Sequence, residues 1–398
     1  MINNYSHRKG SAEVVVCGAD GKPVPNTDMT VRQLAGSVVF GCAGFESLQT
    51  VNGLLEGEAK APAEWRVEKM REIFDFITLP FYWGRFEPER GKPDTANMLA
   101  TAKWWQSHGV QLKGHPLCWH TVTAPWLLDG LSDEEILRLQ LERIWRDVSD
   151  FAGVIDTWDV INEAVIMPIF DRYDNGITRI CKREGQIELV RKVFDEARRA
   201  NPNATLLIND FDMSEDYSDL IKKLLDEGIK IDALGLQSHM HQGMWSVEKT
   251  LEVLERFSTF GLPLHFTEIN LVSGEIMPAH IEDLNDFVPE HWPSTPEGEE
   301  RQAQQVVEFY KLLFDCPLLE AVTYWSFSDG GWLNAPAGLV TKDMRAKPAY
   351  DAMYNLIHNE WRTPEMKLKT GESGQLTVDG FRGKYIAEWN GGAMEFTV

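Results

Sequence analysis

The sequence predicts an α/β fold, a (β/α)8 TIM barrel with a small β-sandwich built from both chain termini. Eight apolar segments alternate with amphipathic segments across residues 38–361. The first apolar segment runs into GCAGFES, which lacks the G-x-G-x-x-G spacing that a doubly wound dinucleotide-binding sheet would show. Short segments of alternating apolar and polar residues lie at both ends of the chain. The first two observations favour a barrel over an open sheet, and the third predicts the sandwich.

The predicted barrel strands are rich in β-branched and other apolar residues, as is typical of parallel strands that are buried on both faces. They are residues 38–45, 74–81, 110–119, 153–163, 204–210, 231–239, 263–270 and 319–327. Helices are predicted between and after them, at residues 94–109, 131–153, 184–202, 216–228, 246–261, 299–315 and 347–361. Ser132 and Glu135 match a capping box at the start of the second helix. Such a barrel typically takes about 250 residues, which a chain of 398 residues accommodates.

The two ends of the chain alternate at period two, which is typical of short half-buried strands. Residues 9–37 carry the turn signal Asp20-Gly21, and residues 373–398 carry Asn390-Gly391. Such dipeptides are strong hairpin signals. We expect the two ends to form one accessory sandwich beside the barrel. The predicted organisation is therefore sandwich at residues 1–38 and 363–398, and catalytic barrel at residues 39–362.

The charge balance limits the class of partner. The chain has 39 Lys and Arg against 61 Asp and Glu, a formal net charge of −22. Nucleic acid and anionic membrane surfaces are poor partners for such a field, and an uncharged substrate is easier to reconcile with it. No apolar segment has the length of a transmembrane helix. We therefore expect no nucleic-acid and no membrane partner.

The cysteines and the N-terminal segment indicate the compartment. The five cysteines are scattered and form no C-x-x-C pair, so buried free thiols are expected rather than a disulfide framework or a zinc site. The N-terminal residues MINNYSHRKGSAEVVV lack the apolar core of a signal peptide. The chain as written is expected to be cytoplasmic, and it would be secreted if a signal had been removed.

Polar residues gather at the predicted C-terminal ends of the barrel strands, where barrel enzymes place their chemistry. Glu163 ends the fourth strand and Glu268 lies near the end of the seventh, so the two carboxyl groups are expected across the barrel mouth from each other. Either glutamate alone could be a solvated loop residue, but two on such strands are harder to dismiss. The other strand-end residues are His115, Trp119, His120, Asn162, Asn209, Asp210, Gln237, Ser238, His239, Asn270, Trp325, Asp329 and Trp332.

Opposed carboxyl groups among Asn, Gln, His and Trp suit the hydrolysis of glycosides. One carboxyl group protonates the leaving oxygen and the other attacks the anomeric carbon. A separation of about 5–5.5 Å gives retention of configuration, and about 6.5–9.5 Å gives inversion. The histidine pair in SHMHQ has no Cys, Asp or Glu at ligand spacing, so it predicts a metal site only weakly. We expect neither a metal nor a cofactor.

Six motifs resemble, in order, those of glycoside hydrolase family 10, which comprises mainly retaining endo-β-1,4-xylanases on a (β/α)8 barrel. They are GHPLCWH, TWDVINEA, INDFD, LGLQSHMH, FTEIN and YWSFSDGGW, and the resemblance covers roughly residues 40–360. It implies that Glu163 is the acid/base, that Glu268 is the nucleophile and that His239 orients the nucleophile. It also implies a plant polysaccharide or oligosaccharide substrate. The residues expected to bind that substrate are Asn162, His115, Trp119, Gln237, Trp325, Trp332, Tyr82 and Asn209.

Two departures from the family pattern concern the substrate. Asn270 stands where the family usually has an aspartate that supports the histidine. Thr78, Leu79 and Tyr82 stand where the family usually has Glu, Asn and Lys, which grip sugars on the non-reducing side. The resemblance thus implies cleavage of β-1,4-xylosidic bonds with an atypical non-reducing-side subsite. The alternatives are a related retaining β-glycosidase acting on a decorated or different plant glycan, and an inactive carbohydrate-binding barrel.

Overall fold

The centre of the chain folds into a closed barrel of parallel strands, which confirms the predicted fold class. The computed structural model describes residues 5–398. Strands β3 to β10 follow one another around the barrel, and β10 closes it against β3. The strands are β1 (Lys9–Val15), β2 (Asp28–Gly36), β3 (Val39–Ala43), β4 (Phe76–Pro80), β5 (Gln111–His115), β6 (Thr157–Asn162), β7 (Thr205–Asp210), β8 (Ala233–Met240), β9 (Leu264–Leu271), β10 (Leu319–Tyr324), β11 (Met366–Lys369), β12 (Gln375–Phe381), β13 (Gly383–Trp389) and β14 (Gly392–Thr397).

Helices connect the barrel strands and surround the barrel. They are α1 (Ser47–Val51), α2 (Lys60–Ile73), α3 (Trp83–Phe86), α4 (Thr95–Ser107), α5 (Asp133–Asp150), α6 (Gly176–Glu184), α7 (Gln186–Ala200), α8 (Glu215–Asp226), α9 (Val247–Ser258), α10 (Pro296–Phe314) and α11 (Pro348–Asn355). Each predicted helical segment overlaps one of them, and Ser132 and Glu135 cap α5 reciprocally. The sequence patterns did not predict α1, α2, which has a proline in its first turn, α3 or the short α6.

The strand ladders are irregular close to both strand-end glutamates. The pairing of β6 with β7 shifts between Asp159 and Ile161, and the pairing of β8 with β9 shifts between Gln237 and His239. An extra residue in a ladder bends the strand and re-aims the side chains beside it. The first shift lies on β6 shortly before Glu163, and the second lies where β8 pairs with β9 around Glu268. Each shift therefore affects the direction in which the nearby carboxyl group points.

Strands from the two ends of the chain form two antiparallel sheets around one apolar core, which confirms the predicted sandwich. Strand β1 pairs with β12, and the second sheet has the order β11-β2-β13-β14. The core residues are buried aliphatic and aromatic side chains, namely Val16, Met29, Val31, Leu376, Val378, Tyr385, Ala387 and Val398. Each sheet therefore contains strands from both ends of the chain.

The two predicted turn signals behave differently. Trp389 pairs with Gly392, so Asn390-Gly391 forms the expected two-residue hairpin between β13 and β14. At the other end, Cys17 pairs with Pro23 around Asp20-Gly21, but β1 and β2 then enter different sheets. Asp20-Gly21 thus forms a short local hairpin, in which the Gly18 N–H donates to the Lys22 carbonyl and the Val24 N–H to the Val16 carbonyl, whereas β1 and β2 beyond it pair with strands from the C-terminal end.

The sandwich attaches to the barrel at the end opposite the polar strand ends. The guanidinium of Arg8 donates to the backbone carbonyls of Phe314, Cys316 and Leu319, where α10 turns into the start of β10. Arg362 donates to Asp75, which precedes β4. Both contacts lie at the N-terminal ends of barrel strands, so the accessory domain leaves the C-terminal face of the barrel open.

The described cysteines form no disulfide and are mostly buried. Cys42, Cys118, Cys181 and Cys316 are buried free thiols, as predicted, and Cys17 is half-buried. Burial raises the pKa of the Cys118 and Cys181 thiols to about 12, so both stay protonated at neutral pH. Within residues 5–398, no helix combines the length and the apolar character needed to cross a membrane.

Candidate active site

Glu163 and Glu268 lie in one buried site at the C-terminal end of the barrel. Glu163 directly follows β6, and Glu268 lies near the end of β9. Their backbones have φ values of 56° and 62°, in the left-handed region that non-glycine residues rarely adopt. Such strain costs about 1–3 kcal/mol per residue and concentrates at functional sites, where the surrounding structure maintains it. Together with the ladder shifts, this conformation brings both carboxyl groups to the barrel mouth.

Glu163 has an environment that favours the protonated carboxyl group. Burial raises its pKa to about 8, although the Trp119 indole lowers it by donating to Oε2 at 2.8 Å. The negative charges of Asp210 and Glu268 raise it further. Burial also raises the pKa of Asp210 to about 7, and this carboxyl group accepts the backbone N–H of Val165 at 3.0 Å. Glu163 therefore carries a transferable proton near neutral pH.

Glu268 is more buried than Glu163, but its surroundings favour the carboxylate. Burial alone would raise its pKa, yet His115, the hydrogen bond from His239, and Lys113 together outweigh burial and lower it. His239 Nε2 lies 3.2 Å from Oε2, and Asn209 Nδ2 donates to Oε1 at 2.8 Å. His115 Nε2 lies 4.0 Å from Oε1. Glu268 is therefore ionised where Glu163 is neutral, which is the arrangement that a nucleophile and an acid require.

A buried ion cluster holds His115 in place beneath the site. Asp159 lies 2.7 Å from His115 Nδ1 and 2.9 Å from Lys113 Nζ, and all three side chains are inaccessible to solvent. Burial would raise the pKa of Asp159, but Lys113 and His115 lower it to about 2. A carboxylate on Nδ1 fixes the ring orientation and the tautomer. His115 thereby presents Nε2 towards Glu268.

Asn209, which was expected to bind substrate, has its amide engaged largely by protein. Its side chain is fully buried, and its Nδ2 donates at 2.8 Å both to Glu268 and to Asn162 Oδ1. Its Oδ1 accepts the Thr267 hydroxyl at 2.7 Å. Both N–H donors of the amide and one of its two acceptor positions are thus occupied by protein. Asn209 is a positioning residue that connects the two halves of the site.

Asn162 and Gln237 border Glu163, as expected of residues that bind sugar hydroxyls. Gln237 Nε2 donates to Asn162 Oδ1 at 3.1 Å and lies 3.5 Å from Glu163 Oε1. Asn162 Nδ2 lies 3.3 Å from the same oxygen. The two contacts to Glu163 are long, so these N–H groups can turn to a ligand at small cost. Both residues lie where a donor can reach a bound ring.

Aromatic rings line the side of the site next to His115. Tyr82 packs against His115 at 5.7 Å and against Trp119 at 5.5 Å between ring centroids. Phe45 meets the edges of Tyr82 at 5.6 Å and Trp325 at 5.3 Å. The wall is therefore continuous and apolar, with the Tyr82 hydroxyl as its polar group. The sequence analysis placed Tyr82 and Trp325 here but did not identify Phe45.

Two neighbours of Tyr82 do not belong to this wall, although the sequence analysis assigned them to it. Thr78 and Leu79 are both fully buried within β4. Phe81 is buried as well and packs behind the barrel against Trp158 at 4.8 Å. Of the three changed positions, Tyr82 therefore has the contacts that place it in the aromatic wall.

His239 connects Glu268 with two residues that the sequence analysis singled out. Asn270 Nδ2 lies 3.0 Å from His239 Nδ1, as we expected. A carboxylate can only accept a hydrogen bond, so the proton on His239 Nε2 faces Glu268, and Nδ1 accepts from Asn270. Trp332 packs on the other side of the His239 ring at 4.5 Å. Its ring also meets that of His241 at 5.1 Å, at the edge of the site.

Four charged or titratable side chains at the site were not assigned a role from the sequence. Lys113 and Asp159 lie inside predicted strands, where isolated charges among apolar residues are a signal that a buried pair is present. His120 Nε2 lies 3.8 Å from Glu163 Oε2, and burial lowers the pKa of His120 to about 4. Asp210 directly follows Asn209 in the motif INDFD. His120 and Asp210 were noted only as strand-end residues.

Residues 67–356 match the family described as Glycosyl hydrolase family 10. This chain belongs to that family. The match covers most of the barrel, including both glutamates and the aromatic wall from Tyr82 to Trp332. It agrees with the resemblance of the six strand-end motifs, and it makes the chain a xylanase-like glycoside hydrolase.

Curated relatives and solved structures point to the same family. The chain is 30% identical over 266 residues to "Beta-1,4-xylanase" of Dictyoglomus thermophilum, covering 63% of this chain and 68% of the relative. It is 24% identical to "Endo-1,4-beta-xylanase C" of Paenibacillus barcinonensis, covering 81% of this chain but only 32% of that longer protein. The structure of GH10 from Paenibacillus barcinonensis superposes with a TM-score of 0.66 at 23% identity, covering 81% of this chain and 95% of that one. The last comparison shows a shared fold.

Proposed function

We propose that the chain is a retaining glycoside hydrolase that cleaves β-1,4-xylosidic bonds in xylan or xylo-oligosaccharides by double displacement. The observation that carries the proposal is the opposite perturbation of two buried carboxyl groups in one site. Burial raises the pKa of Glu163 to about 8, whereas His115 and His239 outweigh burial and lower the pKa of Glu268. Environments that separate two carboxyl pKa values assign one group as acid and the other as nucleophile. The xylan substrate is taken from the names of the relatives.

In the first step, the carboxylate of Glu268 attacks the anomeric carbon as the bond from that carbon to the leaving oxygen breaks. The carboxylic acid of Glu163 gives its proton to the leaving oxygen, so a neutral alcohol departs and a glycosyl ester of Glu268 remains. Positive charge develops on the sugar ring, and the Glu268 carboxylate lies next to it. His239 and Asn209 keep the attacking carboxylate in place through their hydrogen bonds.

In the second step, Glu163 acts as a base because it has lost its proton. It removes a proton from a water molecule, whose oxygen attacks the anomeric carbon and displaces Glu268 as a carboxylate. Two inversions leave the product with the original β configuration. The buried surroundings of Glu163 favour recovery of its proton, so the site is reset for the next turnover.

The sugar-binding roles follow from the positions of the neutral donors and the rings. Asn162 and Gln237 lie beside Glu163, where they can donate to the sugar hydroxyls, in particular the 2-OH next to the reacting carbon. Hydrogen bonds to the 2-OH strengthen in the transition state of this reaction. The remaining contacts are the indole rings of Trp119, Trp325 and Trp332, which present surfaces to the apolar faces of sugar rings, whereas His115 is buried and acts through its contact with Glu268.

We further propose that the subsite on the non-reducing side is atypical. Tyr82 occupies a position where the family usually has a lysine, and it packs among Phe45, Trp119 and His115. A lysine that hydrogen-bonds a sugar contributes about 1.5–3 kcal/mol, since hydrogen bonds to charged groups are the stronger ones. The aromatic wall offers packing instead of that contact. Unsubstituted xylan should therefore be a poorer substrate than a decorated one.

The same wall favours a second candidate, a related retaining β-glycosidase acting on a decorated or different plant glycan. The two candidates differ in kcat/KM for unsubstituted xylohexaose against a panel of substituted oligosaccharides and other β-linked glycosides. Efficient cleavage of the plain hexamer, with no gain from any substituent, would remove this candidate. The third possibility, an inactive carbohydrate-binding barrel, predicts binding without turnover on every member of the panel.

The double-displacement mechanism is tested by the configuration of the first product. The wild-type chain is incubated with the best substrate of the panel, and the anomeric proton of the new reducing end is followed by NMR before mutarotation. We expect the β anomer first. An initial α product would show single displacement and would overturn the roles given to Glu163 and Glu268.

A further inference from the structure

Two long loops follow the strands that carry the glutamates, and two short loops separate them. Residues 163–175 follow β6 and residues 272–295 follow β9. Between these strands, β7 and β8 end in the short connections 211–214 and 241–246. The two long loops therefore lie on either side of the ends of β7 and β8, where the connections are short. A contact between them must pass over the ends of β7 and β8.

Arg172 makes that contact. Its Nη1 pairs with Asp283, and its Nη2 pairs with Asp286, so one guanidinium joins two carboxylates of the opposite loop. Residues 172 and 283 are 111 positions apart in the chain, and the pairing is the direct tie between the two loops. A guanidinium has a rigid fork of donors that suits such a double contact.

The β6 loop lies on the side of the site where the leaving group must sit. Phe170, two residues before Arg172, packs on the ring of His120 at 4.4 Å. His120 Nε2 is 3.8 Å from Oε2 of Glu163, and Glu163 is the residue that we assign to protonation of the leaving group. Phe170 also meets Tyr173 edge-on at 5.0 Å. Since the acid must touch the leaving oxygen, this loop borders the leaving group and not the bound sugar behind it.

The β9 loop is held firmly at its base, so the ion pair acts on a supported segment. The Met277 N–H donates to the His241 carbonyl at 2.9 Å, and Gln242 Nε2 donates to the carbonyls of Pro278 and Ile281 at 3.0 and 2.7 Å. Leu284 and Phe287, which flank the two aspartates, pack on an apolar cluster around Trp292. Asp283 and Asp286 are therefore presented from an ordered platform.

We propose that the bridge from Arg172 to Asp283 and Asp286 is a specificity-determining closure of the leaving-group side of the cleft. With the bridge formed, a short leaving group fits beside Glu163, but a long chain meets the joined loops. The inference rests on the proposed glycosidase activity, because it assigns the leaving group to the side of Glu163. It predicts a preference for bonds near the end of a chain or next to a small aglycone.

The bridge is also weak enough to open. Arg172 and both aspartates are about half exposed. Exposed ion pairs contribute little free energy in water, and salt screens the attraction between their charges. Long substrates can therefore be admitted at the cost of breaking the pair, and high ionic strength should ease their entry. Arg172 acts through the loops and does not touch the reacting atoms, so it is a positioning residue.

The test compares a long and a short leaving group. The measured quantity is kcat/KM for the polysaccharide that the chain degrades best, divided by kcat/KM for the matching 4-nitrophenyl glycoside. Arg172→Ala should raise this ratio by about three- to tenfold, because up to two exposed ion pairs are lost. Added 0.5 M NaCl should raise the ratio for the wild type and leave that of R172A unchanged.

Two further variants separate the closure from a merely structural role. Arg179→Ala removes an arginine of α6 that pairs with Asp133 at the start of α5, and its ratio should equal that of the wild type. Combining Arg172→Asp with Asp283→Arg and Asp286→Arg restores the pair with reversed charges, and should return the ratio towards the wild-type value.

An unchanged ratio in R172A, with both substrates turned over, overturns this inference alone. A wild type that cleaves neither substrate overturns the proposed function and the inference with it.

Discussion

Glu163 and Glu268 are closely similar in position and opposite in chemical state. Both lie at a barrel strand end, both have left-handed backbone conformations, and both side chains are mostly shielded from solvent. Yet the pKa of one carboxyl group is raised to about 8 and that of the other is lowered. Burial acts on both in the same direction, so it cannot account for the difference.

The difference lies in the charged and hydrogen-bonding neighbours of the two carboxyl groups. Glu268 has His239 at 3.2 Å and His115 at 4.0 Å, and Lys113 lies behind them. Glu163 has two carboxyl groups near it, Asp210 and Glu268 itself, and its nearest histidine, His120, has its own pKa lowered by burial to about 4. The comparison teaches that histidines and a lysine on one side of a shared site can separate two identical side chains into acid and nucleophile.

The largest expected effect comes from removing each carboxyl group. Glu268→Ala should abolish turnover on all substrates, because no covalent intermediate can form. Glu163→Ala should lose about 10²–10⁴-fold on natural glycosides, the usual contribution of a general acid, and far less in the first step on activated aryl glycosides. Steady-state and burst kinetics of both variants on both substrate types provide the measurement. Identical behaviour of the two variants would contradict the assigned roles.

The pKa of Glu163 should also affect the stability of the folded chain, which can be measured without a substrate. Glu163 has a folded-state pKa of about 8 against an ordinary value of 4.5, so the folded chain keeps a proton that the unfolded chain releases between these pH values. Stability from this group is therefore present below pH 4.5 and is lost as pH rises towards 8. The Tm of Glu163→Gln relative to wild type should rise steadily from pH 5 to pH 8. Glu142→Gln on the exposed face of α5 is the control, and its Tm difference should stay flat.

The same group determines the basic limb of the pH–rate profile. Wild-type kcat/KM should fall above about pH 8, as Glu163 loses the proton that it must donate. On activated aryl glycosides, where departure of the aryl group needs no proton, the basic limb should be weak in the wild type and absent in Glu163→Gln. A basic limb that persists unchanged in E163Q would assign it to another group.

A smaller effect is expected from Asn270, whose neutral amide faces His239 Nδ1 at 3.0 Å. Asn270→Asp places an acceptor there, which favours the doubly protonated imidazolium next to Glu268. A cation so close stabilises the carboxylate and lowers the pKa of Glu268 further, so the acid limb of kcat/KM should move to lower pH. Asn270→Ala keeps the position neutral and should not move the limb downward. An acid limb at the same pH in both variants would remove this coupling.

The smallest effect is expected from Trp119, whose indole donates to Glu163 Oε2 at 2.8 Å. This hydrogen bond stabilises the ionised carboxyl group, so its loss raises the pKa of Glu163. The basic limb of Trp119→Phe should move to higher pH, by a fraction of a unit. Trp325→Phe changes another ring of the same wall that packs on His115 and His239, and should leave the limb in place. A downward move in W119F would contradict the assigned donor.

The sequence predicted the barrel well because buried parallel strands are apolar along their whole length. All eight barrel strands lie within or very close to the predicted segments, although several segments are too long. Residues 110–119, for example, contain the strand Gln111–His115 and then the loop through Trp119. Apolar character continues into that loop, since it is buried against the site. Composition alone therefore cannot locate the end of the strand.

The sequence motifs predicted the residues that lie at strand ends. They did not predict which of these residues are engaged by protein partners distant in the chain. Glu163, Glu268 and His239 come together as the motifs implied, although their roles stay predictions until they are measured. Asn209 was assigned to the substrate, because a strand-end amide shows nothing of the partners that occupy it. Thr78 and Leu79 were assigned to the cleft, because the direction in which β4 side chains point was not resolved from the sequence. These properties depend on register and on contacts distant in the chain.

The shared sandwich also has a consequence for the order of synthesis. Strands β1 and β2 are made first, yet their partners β11, β12 and β13 begin only at Met366. At about 5–20 residues per second, the two early strands wait on the order of tens of seconds with exposed ladder edges. Unpaired edges are sites of aggregation, and the charged residues Lys9, Glu13, Asp28 and Arg32 lie along these two strands. Removing these charges should lower the yield of soluble protein during translation, while leaving the finished enzyme as active as before.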